Sequence, residues 1–305
     1  MKNLLVLFIF TIGLSAKTIT PNDVYTLSTL IQDHLHFLLK YYDIEHHHDE
    51  IVKRDMILST KLKPRNTWQK SYEILIKINM LRESHGLARL VPVGIEAVEH
   101  LNPDMVYEMN QRILTELKIF EIRKDIKVPD FKAKVFVNKT PLDNYNLFVD
   151  ISAAFDELNK RALTPNYVYG ETMRIYDDIS IILNYLDIYD STVPDAKMQN
   201  ATPADALDTA MSILQDITQL QKSVGIEYID FSEFRKTNVL PSDVYTVTGL
   251  IISELQPLKA YIGLNDSVTP PALYYERKKP ENVEQLMRWN LKRINLIKDI
   301  YRRGK

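Results

Sequence analysis

The residues of this chain that are best suited to chemistry are its histidines, and all seven fall within the first hundred positions. Three are consecutive in the stretch EHHHDE, which gathers imidazole and carboxylate groups within six residues. Both groups are ligands for zinc, nickel and copper ions. One hypothesis is therefore a divalent-metal-binding or metal-delivery protein that uses this loop. Its candidate ligands are His46, His47, His48, Asp49 and Glu50.

The competing interpretation of EHHHDE is a solvated polar loop. A defined metal site needs donors that converge from fixed positions, and the other repeats of the chain, described below, do not retain these histidines. Elsewhere, His34 and His36 are two residues apart in a predicted helix, so they cannot both face one ion. We expect His34 to be partly packed, because it adjoins the apolar face of that helix.

Other catalytic patterns are missing from the sequence. The acidic pairs Asp156–Glu157 and Asp177–Asp178 are interpreted as solvated helix faces rather than general acid/base pairs. There is no Gly-x-Ser-x-Gly, phosphate-binding glycine loop or His-Glu-x-x-His motif. Cysteine is absent too, which excludes disulfides, thiol redox chemistry and cysteine-based zinc sites. We therefore expect no enzymatic activity and no resident cofactor, with a cryptic all-helical enzyme as an alternative.

Eight prolines mark the elements that must position these residues. Each precedes a segment of helical periodicity, and the residues 10, 14 and 17 positions after each proline are apolar, with Asn290 as the exception. Steps of four and three residues keep side chains on one face of an α-helix, so each segment should bury a single stripe. The prolines are Pro21, Pro64, Pro103, Pro141, Pro165, Pro203, Pro241 and Pro280.

Helix-capping signals surround these prolines. Proline is favoured at the first helical position, where its missing amide has no partner. Ser, Thr or Asn before it can cap free amides, and Asp in the first turn complements the helix dipole. The capping residues are Thr20, Asn102, Thr140, Thr164 and Thr202. Pro257 lies inside the seventh segment and is predicted to bend that helix or end it early.

The eight segments form two related sets of four, because each of the first four prolines has an equivalent 138 to 144 residues later. We predict an all-α fold, with eight main amphipathic helices as four helical-hairpin repeats. These are duplicated into two four-helix halves, at residues 17–162 and 163–305. Two bundles packed side by side are slightly favoured over a continuous short α-solenoid. The long segments between helices are expected to be functional or semi-structured.

A Val-Tyr pair recurs in the first turn of every second segment. We favour a packing role, in which the ring rests on a partner helix and the hydroxyl reaches a loop carbonyl or water. In the alternative, the tyrosines line a common groove for a ligand or a protein partner. They are Tyr25, Tyr107, Tyr169 and Tyr245.

Residues 1–16 have the layout of a secretory signal peptide, with a basic start, an apolar run from Leu4 to Leu14 and a cleavage site near Ala16. Such a run is too short to cross a hydrocarbon core of about 30 Å. The mature chain is therefore expected in the periplasm or outside the cell, without a transmembrane span. A formal net charge of −2 gives no general attraction to nucleic acid.

These features favour an exported, non-enzymatic helical-repeat binding protein of the cell envelope, which recognises a protein partner or a small ligand. The basic C-terminal stretch RWNLKRINLIKDIYRRGK suits the end of a helix, where cations offset the dipole. Weak contact of this stretch with an anionic membrane surface is a further hypothesis.

Overall fold

The computed structural model describes residues 18–47, 61–91, 94–96, 101–231 and 238–303. Within these ranges the regular secondary structure is almost entirely helical, which confirms the all-α fold class. The helices are α1 Pro21–Tyr41, α2 Pro64–Ser84, α3 Pro103–Arg123, α4 Pro141–Asn159, α5 Pro165–Tyr185, α6 Pro203–Val224, α7 Pro241–Tyr261 and α8 Pro280–Arg303. Two short strands, β1 Ile95–Glu96 and β2 Val268–Thr269, pair antiparallel with Ile95 opposite Thr269.

The predicted apolar stripe forms the core. Every apolar residue 10, 14 or 17 positions after an opening proline is buried, except Leu258, which is partly exposed. The exception in the pattern, Asn290, is buried as well, and its side-chain amide donates to the Thr172 carbonyl at 3.2 Å. Burial of one stripe per helix is therefore confirmed.

Helix starts follow the predicted pattern with one added feature. All eight helices begin at their proline. In six of them, an Asp or Asn two residues after the proline accepts a hydrogen bond from the backbone amide that precedes the proline. This bond satisfies an amide at the helix entrance, and where the acceptor is Asp it also places a carboxylate at the positive end of the dipole. The acceptors are Asp23, Asn66, Asp143, Asp205, Asp243 and Asn282.

Each half of the chain closes four helices into a ring. In the first half, α1 and α2 each pack on α3 and α4, so the ring order is α1–α3–α2–α4. In the second half, α5 and α6 each pack on α7 and α8 in the same way. The four opening prolines of each half line a single depression at one end of its ring. All four helices of a ring therefore start at the same end and run parallel.

Polar contacts between neighbouring helices confirm the parallel direction. The ring order is α1–α3–α2–α4 in the first half and α5–α7–α6–α8 in the second. Along each order, the residue 13 positions after the proline of one helix contacts the residue 18 positions after the proline of the next helix in the ring. In the Lys77 pair the backbone carbonyl accepts; in the others the side chains meet. The pairs are His34–Glu121, Glu116–Arg82, Lys77–Asn159, Asp178–Lys259, Glu254–Gln221 and Asp216–Lys298.

This arrangement corrects the predicted hairpins. Helices that follow each other within a half are either diagonal in the ring, as α1 and α2 are, or parallel neighbours, as α2 and α3 are. The physical reason is the length of the connections, which run for 16 to 22 residues within each half. A parallel neighbour requires the chain to return along a helix of about 31 Å, whereas a hairpin needs only a short turn. The long segments are return crossovers.

The two rings pack antiparallel to each other through α2 and α7. Arg65, in the first turn of α2, forms two hydrogen bonds with Glu254 in the second half of α7. Near the middle of α2, Glu73 accepts from the Thr246 hydroxyl near the start of α7. The short connection 160–164 between α4 and α5 fits this reversal, because α5 starts where α4 ends. As a result α2 is buried on all sides from Arg65 to Leu81.

Pro257 does not end the seventh helix, which continues to Tyr261. Proline removes the amide that would bond the Ser253 carbonyl. The helix continues because this turn is packed among neighbouring helices, and Gln221 of α6 donates to the adjacent Glu254 carbonyl at 3.1 Å. The prediction of early termination was wrong because it considered the helix in isolation.

The signal peptide predicted at residues 1–16 lies outside the described residues. Among the helices that the structure describes, none combines the length and apolar composition needed to cross a bilayer.

Spin labels distinguish parallel neighbours from hairpins. Helices α6 and α7 follow each other along the chain and are neighbours in the ring. Lys222 near the end of α6 and Tyr261 at the end of α7 are exposed. Labels on Lys222→Cys and Tyr261→Cys should be close if the two helices are parallel, whereas labels on Lys222→Cys and Ser242→Cys should be separated by about 27 Å along the helix axis. Double electron–electron resonance compares the two distances without labelling at other sites, since the chain has no cysteine. The opposite order of distances would refute the parallel ring.

Candidate metal centre

The residues of the predicted histidine loop have different surroundings in the structure. His46 turns toward α4, and its side chain is only 12% exposed. The side chain of His47 is exposed, and its backbone amide donates to Glu157 at 3.3 Å. His48, Asp49 and Glu50 lie outside the described residues.

His46 is held between two carboxylates of α4. Its Nδ1 lies 2.5 Å from Oε2 of Glu157, and its Nε2 lies 3.1 Å from Oδ1 of Asp150. The hydrogen bond with Asp150 raises the pKa of His46 above its ordinary value, burial opposes this, and Glu157 adds to the increase. The imidazole is thus fixed in orientation by partners on both ring nitrogens.

A second histidine completes the cluster. His36 Nε2 lies 3.8 Å from Oδ2 of Asp150, and the same carboxylate oxygen accepts from Gln32 Nε2 at 2.6 Å. Asp150 itself is buried, with 2% of its side chain exposed. One donor atom from each of His36, His46 and Asp150 lies within 4.8 Å of the others.

Two neighbouring helices and one turn bring these donors together. Asp150 and Glu157 are seven residues apart on α4, which is two helical turns and therefore one face. This face meets α1 in the ring, where His36 lies in the last turns. After α1 the chain reverses through Asp43, whose φ is 55°, and the Ile44 amide donates back to the Leu39 carbonyl at 2.9 Å. That reversal returns His46 to the helix end.

Comparisons of the chain with protein-family models, curated proteins and solved structures find no match. The internal duplication therefore supplies the informative comparison for this site.

The equivalent corner of the second half, where α5 and the connection after it meet α8, contains the positively charged side chain of an arginine. By repeat position, Ser180 and Asp190 correspond to His36 and His46, and Arg293 corresponds to Ala154. The buried Arg293 guanidinium donates to Asp190 at 2.7 Å, to Ser180 Oγ at 2.7 Å and to the Tyr176 carbonyl at 2.8 Å. Because Ala154 has no such group, the first half presents carboxylates and histidines at this corner without an arginine.

The tyrosines of the predicted groove lie in different places in the structure. Tyr25 packs edge-on against Phe136, and the Lys139 ammonium lies 4.1 Å from its ring centre. In the second half, Tyr169 forms the same sandwich with Tyr275 and with Lys278, again at 4.1 Å. In both halves the partners come from the connection before the last helix of the ring.

The other two tyrosines have different surroundings. Tyr107 is partly buried against the core. Tyr245 is fully buried between the rings, where burial raises its pKa well above the ordinary value and the Glu171 carboxylate adds to the increase. The described contacts do not bring Tyr25, Tyr107, Tyr169 and Tyr245 around one groove, and a ligand role for them stays a prediction.

The acidic pairs are not the solvated faces that the sequence suggested. Asp156 accepts from the buried Lys77 ammonium at 2.7 Å, and Glu157 holds His46. Asp178 is fully buried and accepts from Lys259 at 2.9 Å. The interpretation was wrong for Asp156, Glu157 and Asp178, because each faces a partner that lies far away in sequence. His34 is buried against Glu121, which confirms that it is packed.

Most described cations of the basic C-terminal helix are engaged within the protein. They pair with carboxylates on the connection before α6, on α6 and on α8 itself. The cations are Arg288, Lys292, Arg293 and Lys298, and the carboxylates are Glu284, Asp195, Asp190 and Asp216. Weak membrane contact of this segment stays a hypothesis.

Proposed function

We propose that this protein binds a divalent transition-metal ion, such as zinc, copper or nickel, through His36, His46 and Asp150. The observation that carries the proposal is the convergence of two imidazoles and a buried carboxylate from different elements. It meets the requirement that a bare histidine loop does not meet, namely donors held at fixed positions. A site with nitrogen and oxygen donors binds zinc, copper or nickel better than it binds magnesium or calcium, because the latter two ions prefer sites made only of oxygen donors.

Glu157 supports this role from behind His46. Nε2 of His46 would hold the metal, and Nδ1 would keep its proton in the hydrogen bond with Glu157. Histidine ligands of metals commonly donate their second nitrogen to a carboxylate, which fixes the ring and strengthens the donor. Gln32 orients the Asp150 carboxylate in the same manner.

The repeated corner supports a cation at this place. In the second half, the carboxylate of Asp190 is neutralised by the Arg293 guanidinium. The first half retains the corner, replaces the arginine by Ala154 and adds His36, His46 and Asp150. A bound metal ion would supply the positive charge that the chain itself supplies in the second half.

The sequence favours an exported binding protein, and under this proposal its ligand is a divalent metal ion. Its residence in the periplasm or outside the cell rests on residues 1–16 and is a proposal too.

Isothermal titration calorimetry with zinc, copper and nickel tests the metal site. We expect one high-affinity site in the unmodified protein and its loss in His46→Ala. The matched control is His47→Ala, which removes the adjacent imidazole of the same loop and should retain binding. Glu157→Gln should weaken binding by about 10- to 100-fold, the usual effect of losing a carboxylate behind a metal-ligating histidine.

Equal effects of the two histidine variants would contradict the proposal, because they would indicate a non-specific polyhistidine loop. Absence of binding in the unmodified protein would contradict it outright. Circular dichroism of each variant verifies that the helical fold is retained.

A further inference from the structure

We infer that residues 132–138, in the connection between α3 and α4, bind an extended strand of a protein partner by β-strand addition. The added strand alternates acidic residues with apolar ones. The sequence of the segment that receives it is KAKVFVN. A protein-binding surface of this kind goes beyond the proposed metal centre and does not depend on it.

The connection lies extended along the outside of α1. Phe131 packs edge-on against His34 and Phe37, and five residues later Phe136 packs against Tyr25. The first two contacts on α1 are nine and twelve residues from the third, or about 14 and 18 Å along the helix. Five residues of the connection therefore cover about 16 Å, which is about 3 Å each and near the rise of a β-strand.

The side chains of the segment alternate as those of a strand do. Lys134 reaches back to Asp33 of α1 at 3.2 Å, and Phe136 packs on the same helix, so both turn inward. Val135 and Val137 turn to solvent and are 92% and 70% exposed. Two β-branched residues on one face of an extended segment suit a β-strand.

The main chain of the segment is open to a partner. Among the described residues, none forms a hydrogen bond with a main-chain amide or carbonyl of residues 132–138, and the nearest such bonds involve the amides of Phe131 and Lys139. Six of the seven residues are exposed. An extended segment with free main-chain groups at its edge can accept a further strand, because each added residue pair forms ladder hydrogen bonds.

The second half provides a precedent for strand pairing at this connection. The equivalent connection, between α7 and α8, contains β2, which pairs with β1 from the first half. Farther along, the Ala272 amide donates to the Tyr72 hydroxyl, and the Arg89 guanidinium lies over the Tyr274 ring. The neighbouring ring thus occupies this connection in the second half, whereas the described part of the chain places no such element on residues 132–138.

The charge of the connection determines which strand is attracted. Residues 127–139 contain four lysines and one aspartate, whereas the whole chain has a net charge of −2. Lys132 and Lys134 lie within the segment, and their side chains are 81% and 60% exposed. Their ion pairs with Asp130 and Asp33 are therefore weak and leave positive charge for a partner.

A strand with acidic residues is the occupant that these observations favour. Lysines on an exposed strand edge oppose pairing with a second copy of the chain, which brings the same charges. An anionic membrane matches the charge but forms no ladder with the main chain. Carboxylates on every second residue of a partner strand face Lys132 and Lys134, and the residues between them pair across from Val135 and Val137.

Fluorescence anisotropy with the labelled peptide Glu-Val-Glu-Val-Glu tests this surface on the full-length protein. Alternate residues of a strand direct their amides to opposite edges, so Val135→Pro and Lys134→Pro remove a donor from one edge each. We expect one of them to bind about tenfold more weakly than its matched control, the effect of losing one ladder hydrogen bond. The controls, Val135→Thr and Lys134→Ala, change the same side chains but keep the amides.

Two further measurements complete the test. The peptide Lys-Val-Lys-Val-Lys, with the same apolar residues and the opposite charge, should bind far more weakly than the acidic peptide. Hydrogen exchange should show that the acidic peptide protects main-chain amides within residues 132–138. Circular dichroism of each variant verifies that the helical fold is retained.

Proline variants that both bind as well as their controls would overturn the inference, and so would binding without protection of these amides. Equal binding of the two peptides would overturn the selection by charge. Dimers that protect the same amides would assign the segment to a second copy of the chain instead. Binding to phosphatidylglycerol vesicles in place of the peptide would assign it to a membrane surface.

Discussion

Glu73→Gln should lower the free energy of unfolding by about 3 kcal/mol, the effect of removing one partner from a buried ion pair. Glu73 lies at the centre of the α2 helix, between Lys70 and Lys77, and its side chain is 2% exposed. It accepts from Lys70 at 2.7 Å and from Ser152 Oγ at 2.5 Å. The neutral amide leaves two buried ammonium groups with one carboxylate fewer, and urea denaturation measures the loss.

The pH dependence gives this prediction a second readout. Burial alone would raise the pKa of Glu73, but Lys70 and Lys77 outweigh it and lower the pKa to about 2, from an ordinary value of 4.5. A carboxyl group with a lowered pKa in the folded state stabilises the fold above its unfolded pKa, and this stabilisation is lost as the pH falls toward the folded value. The difference between the unmodified protein and Glu73→Gln should therefore be constant near neutrality and shrink between pH 4.5 and 2.

Glu108→Gln is the matched control for charge removal. Glu108 lies on α3 and is exposed, so the substitution should change the unfolding free energy by less than about 0.5 kcal/mol at any pH. A similar small effect for Glu73→Gln would contradict the prediction that this buried ionic cluster stabilises the fold.

Gly170→Ala should destabilise the protein by a net amount of about 2 kcal/mol. A β-carbon at this position on α5 would lie far inside van der Waals contact of the Leu273 carbonyl oxygen. The residues just before Leu273 are fixed, because Arg174 donates to the Pro270 carbonyl at 2.7 Å and the Ala272 amide donates to the Tyr72 hydroxyl at 2.9 Å. Overpacking costs up to about 3 kcal/mol, and the higher helix propensity of alanine offsets about 1 kcal/mol.

Gly249→Ala is the control for helix propensity. The residue lies inside α7, and the nearest atom to its added β-carbon is Cβ of Gln69, at an ordinary distance of 3.5 Å. This variant should be neutral or stabilised by up to about 1 kcal/mol. Thermal and urea unfolding of both variants measure the contrast, and equal behaviour would mean that the connection before α8 shifts freely away from α5.

Part of the candidate site was visible in the sequence. The loop of His46 was identified from residue type alone, because three adjacent imidazoles are unusual. Asp150 and Glu157 were not, since they lie more than a hundred residues away from His46. Their seven-residue spacing on one helix face was a usable signal, but it gained meaning only beside α1. His36 was considered only with His34, which faces Glu121 instead.

The direction of the helices was also readable in principle. Connections of 16 to 22 residues are longer than a helical hairpin needs and suit a return along the bundle. The length instead led to the expectation of functional or semi-structured segments, because composition does not distinguish a crossover from a functional loop.

The sequence by itself determined the features that depend on neighbours along the chain. Helix starts at the prolines, the carboxylates of the first turns and the buried stripe all follow from 3.6-residue periodicity and from backbone groups within one turn. Only the tertiary structure decided which helices are neighbours, why the polar helix α2 is buried and where His46 finds its carboxylates. Those outcomes depend on side chains far apart in sequence, whose pairing is fixed only when the parallel rings close and pack against each other.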